Sequence, residues 1–160
     1  MLSRFLRPSS PYFFQWQVAR PEYQNGRHSI LYWAAYLGLA AHVQAILKLE
    51  GLDIDAQGGV YGNALSAAAR HGRHDIVLLL LSSGAGTTTP APSYYRWTPL
   101  HFAAQSAGNV EVVRTLLKHG ATVDAHTDDQ WTPLHLVAQL GHVEVAHALL
   151  EHGATVDACG

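Results

Sequence analysis

The 160 residues give room for one domain. With 10 Lys and Arg against 12 Asp and Glu, the formal net charge of −2 lacks the basic excess by which nucleic-acid binders hold phosphates. The single cysteine, Cys159, permits no intramolecular disulfide and fits a reducing compartment, and apolar runs such as Ile76 to Leu81 fall far short of a membrane span.

No apolar core of signal-peptide length precedes Pro8, so the expected setting is intracellular: cytoplasm or nucleus. Residues 1–27 carry Pro8, Pro11 and Pro21 among Phe5, Tyr12, Phe13, Phe14, Trp16 and Tyr23. The prolines oppose a long regular element, and the aromatics are too many for an ordinary disordered tail. The segment reads as an irregular arm that covers the open end of the first helix pair. An aromatic membrane-surface or partner-binding segment is the alternative.

From residue 28 onward the chain repeats one plan. Leu31, Leu65, Leu100 and Leu134 hold the same place in successive copies, at steps of 34, 35 and 34 residues. Such a period marks helix pairs that bury their apolar faces only by stacking. The copies run at about 28–56, 57–90, 91–124 and 125–157. In the first, Ser29 is placed to cap a helix, Ile30 and Tyr32 replace the proline and histidine of later copies, and a second helix is predicted from about Ala41 to Glu50. In the second, Asn63 is a good N-cap and Ser66 takes the histidine place. Leu78 and Leu79 stand where copy three has Arg114 and Thr115, which means deeper burial or a lateral contact surface.

Copy three is the clearest. Thr98 caps a helix that Pro99 opens, where a missing N–H costs nothing. Leu100, Ala103 and Ala104 give a small apolar face, and Gly108 is expected to end that helix. Val110, Val112, Val113, Leu116 and Leu117 form the stripe of the next, with Glu111, Arg114 and Lys118 outside it and Gly120 at its left-handed end. Its preceding loop, Thr87 to Trp97, projects with Tyr94, Tyr95 and Trp97 at the tip. The matching finger of copy four is His126 to Trp131. A positive φ at the turn would favour glycine, yet Arg96 and Gln130 stand there, and Tyr61 in copy two. Each turn is therefore either strained or of another type.

TPLHFAA and TPLHLVA, each followed by a helix ending LLKHGA or LLEHGA, resemble ankyrin repeats. The resemblance covers about residues 28–160. It implies an all-α solenoid of stacked helix–turn–helix units with projecting β-turn fingers. It also implies a protein partner, met by the finger tips and the exposed ends of the first helices. In this chain those are Tyr36, Leu37, Arg70, His71, Gln105, Ser106, Gln139 and Leu140 along the groove. On the fingers they are Val60, Tyr94, Tyr95, Trp97, Asp128, Asp129 and Trp131. Tyr94, Tyr95, Trp97 and Trp131 are the expected hot spots, since aromatic residues dominate interface energetics. Trp97 and Trp131 could instead pack finger against finger. The stretch QGGVYGNALSAAARHGRHDIV further resembles ankyrin arrays that follow a NACHT-type nucleotide-binding domain in fungal proteins. That alternative makes the chain the sensor part of a nucleotide-hydrolysing protein. No G-x-x-x-x-G-K-[ST] phosphate loop occurs within the 160 residues.

Eleven histidines raise a metal hypothesis, but H-V-E-V-A-H at His142–His147 has its glutamate in the wrong place for a zinc helix. His101 and His135 fill the TPLH place, where the resemblance implies a bond to the threonine hydroxyl. His119 and His152 sit at helix C-termini, where positive charge is favoured. Asp55, Asp124 and Asp157 read as acceptors of a backbone N–H in their turns, or as a row of acids for cations. No G-x-S-x-G elbow is present. No cofactor, metal or catalytic role is expected. Copy four ends without a polar face beyond it, which predicts a fragment of a longer protein or self-association through that end.

Overall fold

Two kinds of side chain decide how this molecule packs: alanines where helices must touch, and branched aliphatics where they must fill space. The computed structural model describes residues 27–91, 94–106 and 108–156, so the aromatic arm of residues 1–26 and the Asp157 turn lie outside it. In chain order the helices among these residues are α1 (Arg27–Leu37), α2 (Ala40–Ile46), α3 (Ala64–Arg70), α4 (His74–Ser82), α5 (Pro99–Ala104), α6 (Val110–Lys118), α7 (Pro133–Leu140) and α8 (Val143–Glu151). The described residues contain no strand, only one antiparallel bridge between Ala91 and Trp97.

The first helices, α1, α3, α5 and α7, lie in one row, each touching the next; α2, α4, α6 and α8 form a second row behind them. Ala34, Ala35, Ala67, Ala68, Ala69, Ala103 and Ala104 are fully buried in the first row, where a larger side chain would hold the backbones apart. Between the rows lie Ile76, Val77, Leu80, Val112, Val113, Leu116, Val145 and Leu149, all buried. The core is thus one continuous layer, to which every pair contributes a slice. This is the all-α solenoid of helix pairs that the repeat period predicts.

Several local expectations are met, and others are corrected. Asn63 caps α3 by accepting from the Ser66 N–H at 2.8 Å. Gly120 has φ +87°. Ser29 is no cap, because α1 begins at Arg27 and places it inside the first turn. The second helix of copy one ends at Ile46, not Glu50. Beyond it the Lys48 and Leu49 N–H groups reach back only three residues, to Ala45 and Ile46 at 3.3 and 3.0 Å, so the helix tightens and stops at left-handed Gly51. Gly108 does not end α5, which stops at Ala104. The Asn109 N–H closes the loop that follows on Ser106 O at 3.2 Å. Leu79 is half-buried against the core, whereas Leu78 remains 40% exposed on the outer row.

Side chains also stitch neighbouring pairs. The residue after the mid-repeat glycine reaches back to a carbonyl in the last turn of the preceding first helix: Asn109 Nδ2 donates to Ala69 O at 2.9 Å, and His142 Nδ1 lies 3.1 Å from Ala104 O. A Cβ on Gly72 would collide with the Asn109 amide, so this tie requires glycine at 72. The aspartates accept backbone N–H groups as expected, but across the junction and not within their own turns. Asp55 takes the Gly86 N–H at 2.9 and 3.0 Å, and Asp124 takes the Thr155 N–H at 3.1 and 3.2 Å.

Candidate functional site

The fingers are held from below by one recurrent device. In copy three, His101 Nδ1 accepts from the Thr98 N–H at 3.2 Å and lies 2.8 Å from its hydroxyl. An acceptor Nδ1 leaves the proton on Nε2, which then donates to Trp131 O of the next finger at 3.1 Å. Burial removes water from this ring and pushes its pKa down to about 4, against a weaker upward pull from the Trp131 carbonyl. The imidazole is therefore neutral at pH 7, and it locks a cap and a finger together. His135 repeats the local half of the pattern, 3.1 Å from the Thr132 N and 2.8 Å from its hydroxyl.

Copies one and two fill the same place differently. Tyr32 is buried, and its hydroxyl accepts from the Tyr61 N–H of the next finger at 3.4 Å; burial pushes its pKa to about 12. Ser66 is too short for either bond. Among the described residues, its Oγ and the Asn63 Nδ2 are buried without a hydrogen-bond partner.

The finger turns resolve the choice left open by the sequence. Tyr95, Arg96 and Gln130 have φ of +50°, +57° and +62°, so the turns of copies three and four place ordinary side chains in the left-handed region. Copy two uses another turn. There the left-handed residues are Gly59 and Gly62, and Tyr61 is relieved of the requirement. Finger four rests on finger three through Asp128 N–H to Tyr95 O at 3.0 Å.

Above this base runs an unbroken line of rings. Trp33 meets Tyr36 at a centroid distance of 5.4 Å, and Tyr36 meets His71 at 4.7 Å. His71 leads to Tyr61 at 5.6 Å, and Tyr61 to Phe102 at 5.3 Å. Phe102 supports Trp97 at 5.2 Å, Trp97 meets Tyr94 at 5.0 Å, and Tyr94 meets Tyr95 at 6.3 Å. Most of these pairs are edge-to-face or tilted, the arrangements that ring quadrupoles favour. The strip spans copies one to three along the first helices and fingers. Burial, then the charges of Arg70 and Arg73, hold His71 below the usual histidine range.

Of the residues singled out from the sequence, the structure brings Tyr36, His71, Tyr94, Tyr95 and Trp97 into this strip. Arg70 and Ser106 face each other across the junction, guanidinium to hydroxyl at 2.8 Å. Leu37 and Gln105 are half-buried. Val60 stands apart at the tip of finger two, 61% exposed. Asp128, Asp129, Gln139 and Leu140 are exposed on the copy-four side, where the Trp131 ring lies 6.2 Å from that of His135. The sequence alone does not single out Trp33, Tyr61 and Phe102 as members of the strip. Trp33 and Phe102 hold the same register position in copies one and three, a signal that aligning the copies contains. At the far end, Leu140, Val143 and Leu150 are exposed, and Val143 and Leu150 line a hollow of about 230 Å³ beside α8.

Among the described residues, no group of three His, Cys, Asp or Glu side chains converges, and no helix is long and apolar enough to cross a membrane. A family model described as ankyrin repeats, in three copies, matches residues 65–158. With the paired-helix stack, the threonine–histidine caps and the finger turns already in view, that match over more than half of its length means that the chain belongs to the ankyrin repeat family.

Proposed function

We propose that the chain is a protein-binding module whose partner seats on the aromatic strip and the finger tips, and that it works by recognition and not by catalysis. Repeats of this family are, in general, protein–protein interaction modules. The observation that carries the reading here is the strip itself. Seven rings and His71 are already locked against one another, so a partner immobilises few side chains on arrival. Tyr95, 61% exposed on a finger fixed by two hydrogen-bonded neighbours, is the natural anchor.

The strip is apolar with polar residues near it: Arg70 precedes His71 in the chain, and Asp128 and Asp129 are exposed on finger four, whose Asp128 N–H bonds to Tyr95 O. That pattern suits an extended or helical segment that offers apolar side chains in a row and polar groups at its border. Once a partner is captured, Tyr95→Ala should weaken it by about 2 kcal/mol, roughly thirtyfold, with unchanged helical content by circular dichroism. Leu78→Ala, on the outer row, should leave affinity within about twofold. Equal losses in the two variants would move the interface off the strip.

A further inference from the structure

A second site lies at the junction of copies two and three, and none of its lining residues belongs to the aromatic strip. At the flanking junctions an aspartate four residues after the stop glycine (Asp55 after Gly51, Asp124 after Gly120) accepts the N–H two residues after the next stop glycine: Gly86 for Asp55, Thr155 for Asp124. At the middle junction the fourth residue after Gly84 is Thr88, and the N–H it should serve belongs to Thr122. A threonine hydroxyl is shorter than a carboxylate and carries no charge. Among the described residues, nothing accepts from the Thr122 N–H.

The structure has a cavity of about 220 Å³ at this place. Its polar lining is Thr87, Thr88, Arg96, Thr98, Thr122 and His126, with no acidic side chain. Among the described residues the Arg96 guanidinium makes no ion pair. Thr87, Thr88 and Thr122, whose hydroxyls are not used in a helix cap, border with Arg96 and His126 a pocket from which the fold's own carboxylate is missing. We infer that this junction binds a phosphate-type oxyanion, whose oxygens take the bonds that Asp55 and Asp124 supply at the other two. A carboxylate offers two oxygens; a phosphate offers enough to engage Arg96, the Thr122 N–H and the hydroxyls together. Free phosphate and a phosphomonoester present the same oxygens, so both are candidates as the source.

The test is thermal unfolding of the full chain, titrated with inorganic phosphate and, separately, phenyl phosphate, against chloride at matched ionic strength. A saturable rise in Tm with either is expected, and the one that acts at lower concentration identifies the source. Arg96→Gln should weaken the response about tenfold or more, as the loss of one charged hydrogen bond implies. Thr88→Asp should restore the internal carboxylate, raise Tm without phosphate and abolish the phosphate response. The inference is overturned if neither anion gives a saturable rise in the unaltered chain, or if Thr88→Asp responds as strongly as the parent.

Discussion

The His101 and Ser66 positions are the same place in consecutive copies, and they are built to opposite standards. At His101 every ring nitrogen is bonded, one to the cap and one to the next finger. At Ser66, fully buried like His101, the hydroxyl has no partner among the described residues, and neither does the Asn63 amide nitrogen. The difference teaches where the solenoid gains its rigidity. Copy three transmits the position of its first helix directly to finger four, whereas Ser66 makes no such bond to finger three among the described residues, and the rings of Tyr94 and Trp97 pack on Phe102 of their own copy.

Breaking the better-built side should cost most. His101→Ala removes the cap partner, orphans Trp131 O and leaves a cavity, and should destabilise the chain by about 3 kcal/mol in a denaturant titration. A gentler form of the same break is pH. The folded-state pKa of His101 is lowered to about 4 from 6.5, so below pH 6.5 the unfolded chain binds a proton that the folded one refuses. The contribution is fully present above pH 6.5 and is lost progressively as pH falls toward 4, reaching about 3 kcal/mol. Comparison with His101→Gln across that window isolates it from the other histidines. A parallel pH dependence in the two proteins would mean that the buried imidazole is not what titrates.

Smaller effects sharpen the contrast. Gln130 sits at φ +62°, a conformation that costs a side-chain-bearing residue about 1 kcal/mol, so Gln130→Gly should raise stability by about that amount. Ser66→Ala deletes a buried hydroxyl that bonds to nothing, and should be neutral or stabilising by less than about 1 kcal/mol. A clear destabilisation there would show that the hydroxyl does have a partner in solution.

How far the sequence could be read depends on the range of each interaction. The pair plan, the threonine caps, Asn63 and Gly120 were legible, because each depends on residues within one turn. The length of α2, the early stop of α5 and the true partners of Asp55 and Asp124 were not. The aspartate partners depend on bonds that span a copy, such as Asp55 to Gly86, and the two helix ends on how the chain tightens as it leaves each helix, with Leu49 N–H to Ile46 O and Asn109 N–H to Ser106 O. Tyr95 and Trp97 could be singled out as candidates, but not the way Tyr61 and Phe102 join them to Tyr36 and His71. That join needs the offset between first helices, which no single copy contains. Trp97 shows both sides of this: its place on an aromatic finger is readable from the sequence, whereas its half-burial against Phe102 and Tyr94 is not.

The central claim is that recognition occurs on the side made by the fingers and first helices. Its most direct test is site-specific photocrosslinking in extracts of the native cell, with a benzophenone amino acid at position 95 in one protein and at position 78 in another. Both sites are exposed, one on finger three and one on the outer row. A discrete adduct from position 95 with none from position 78 is the predicted result; adducts from position 78 with none from position 95 would contradict the account.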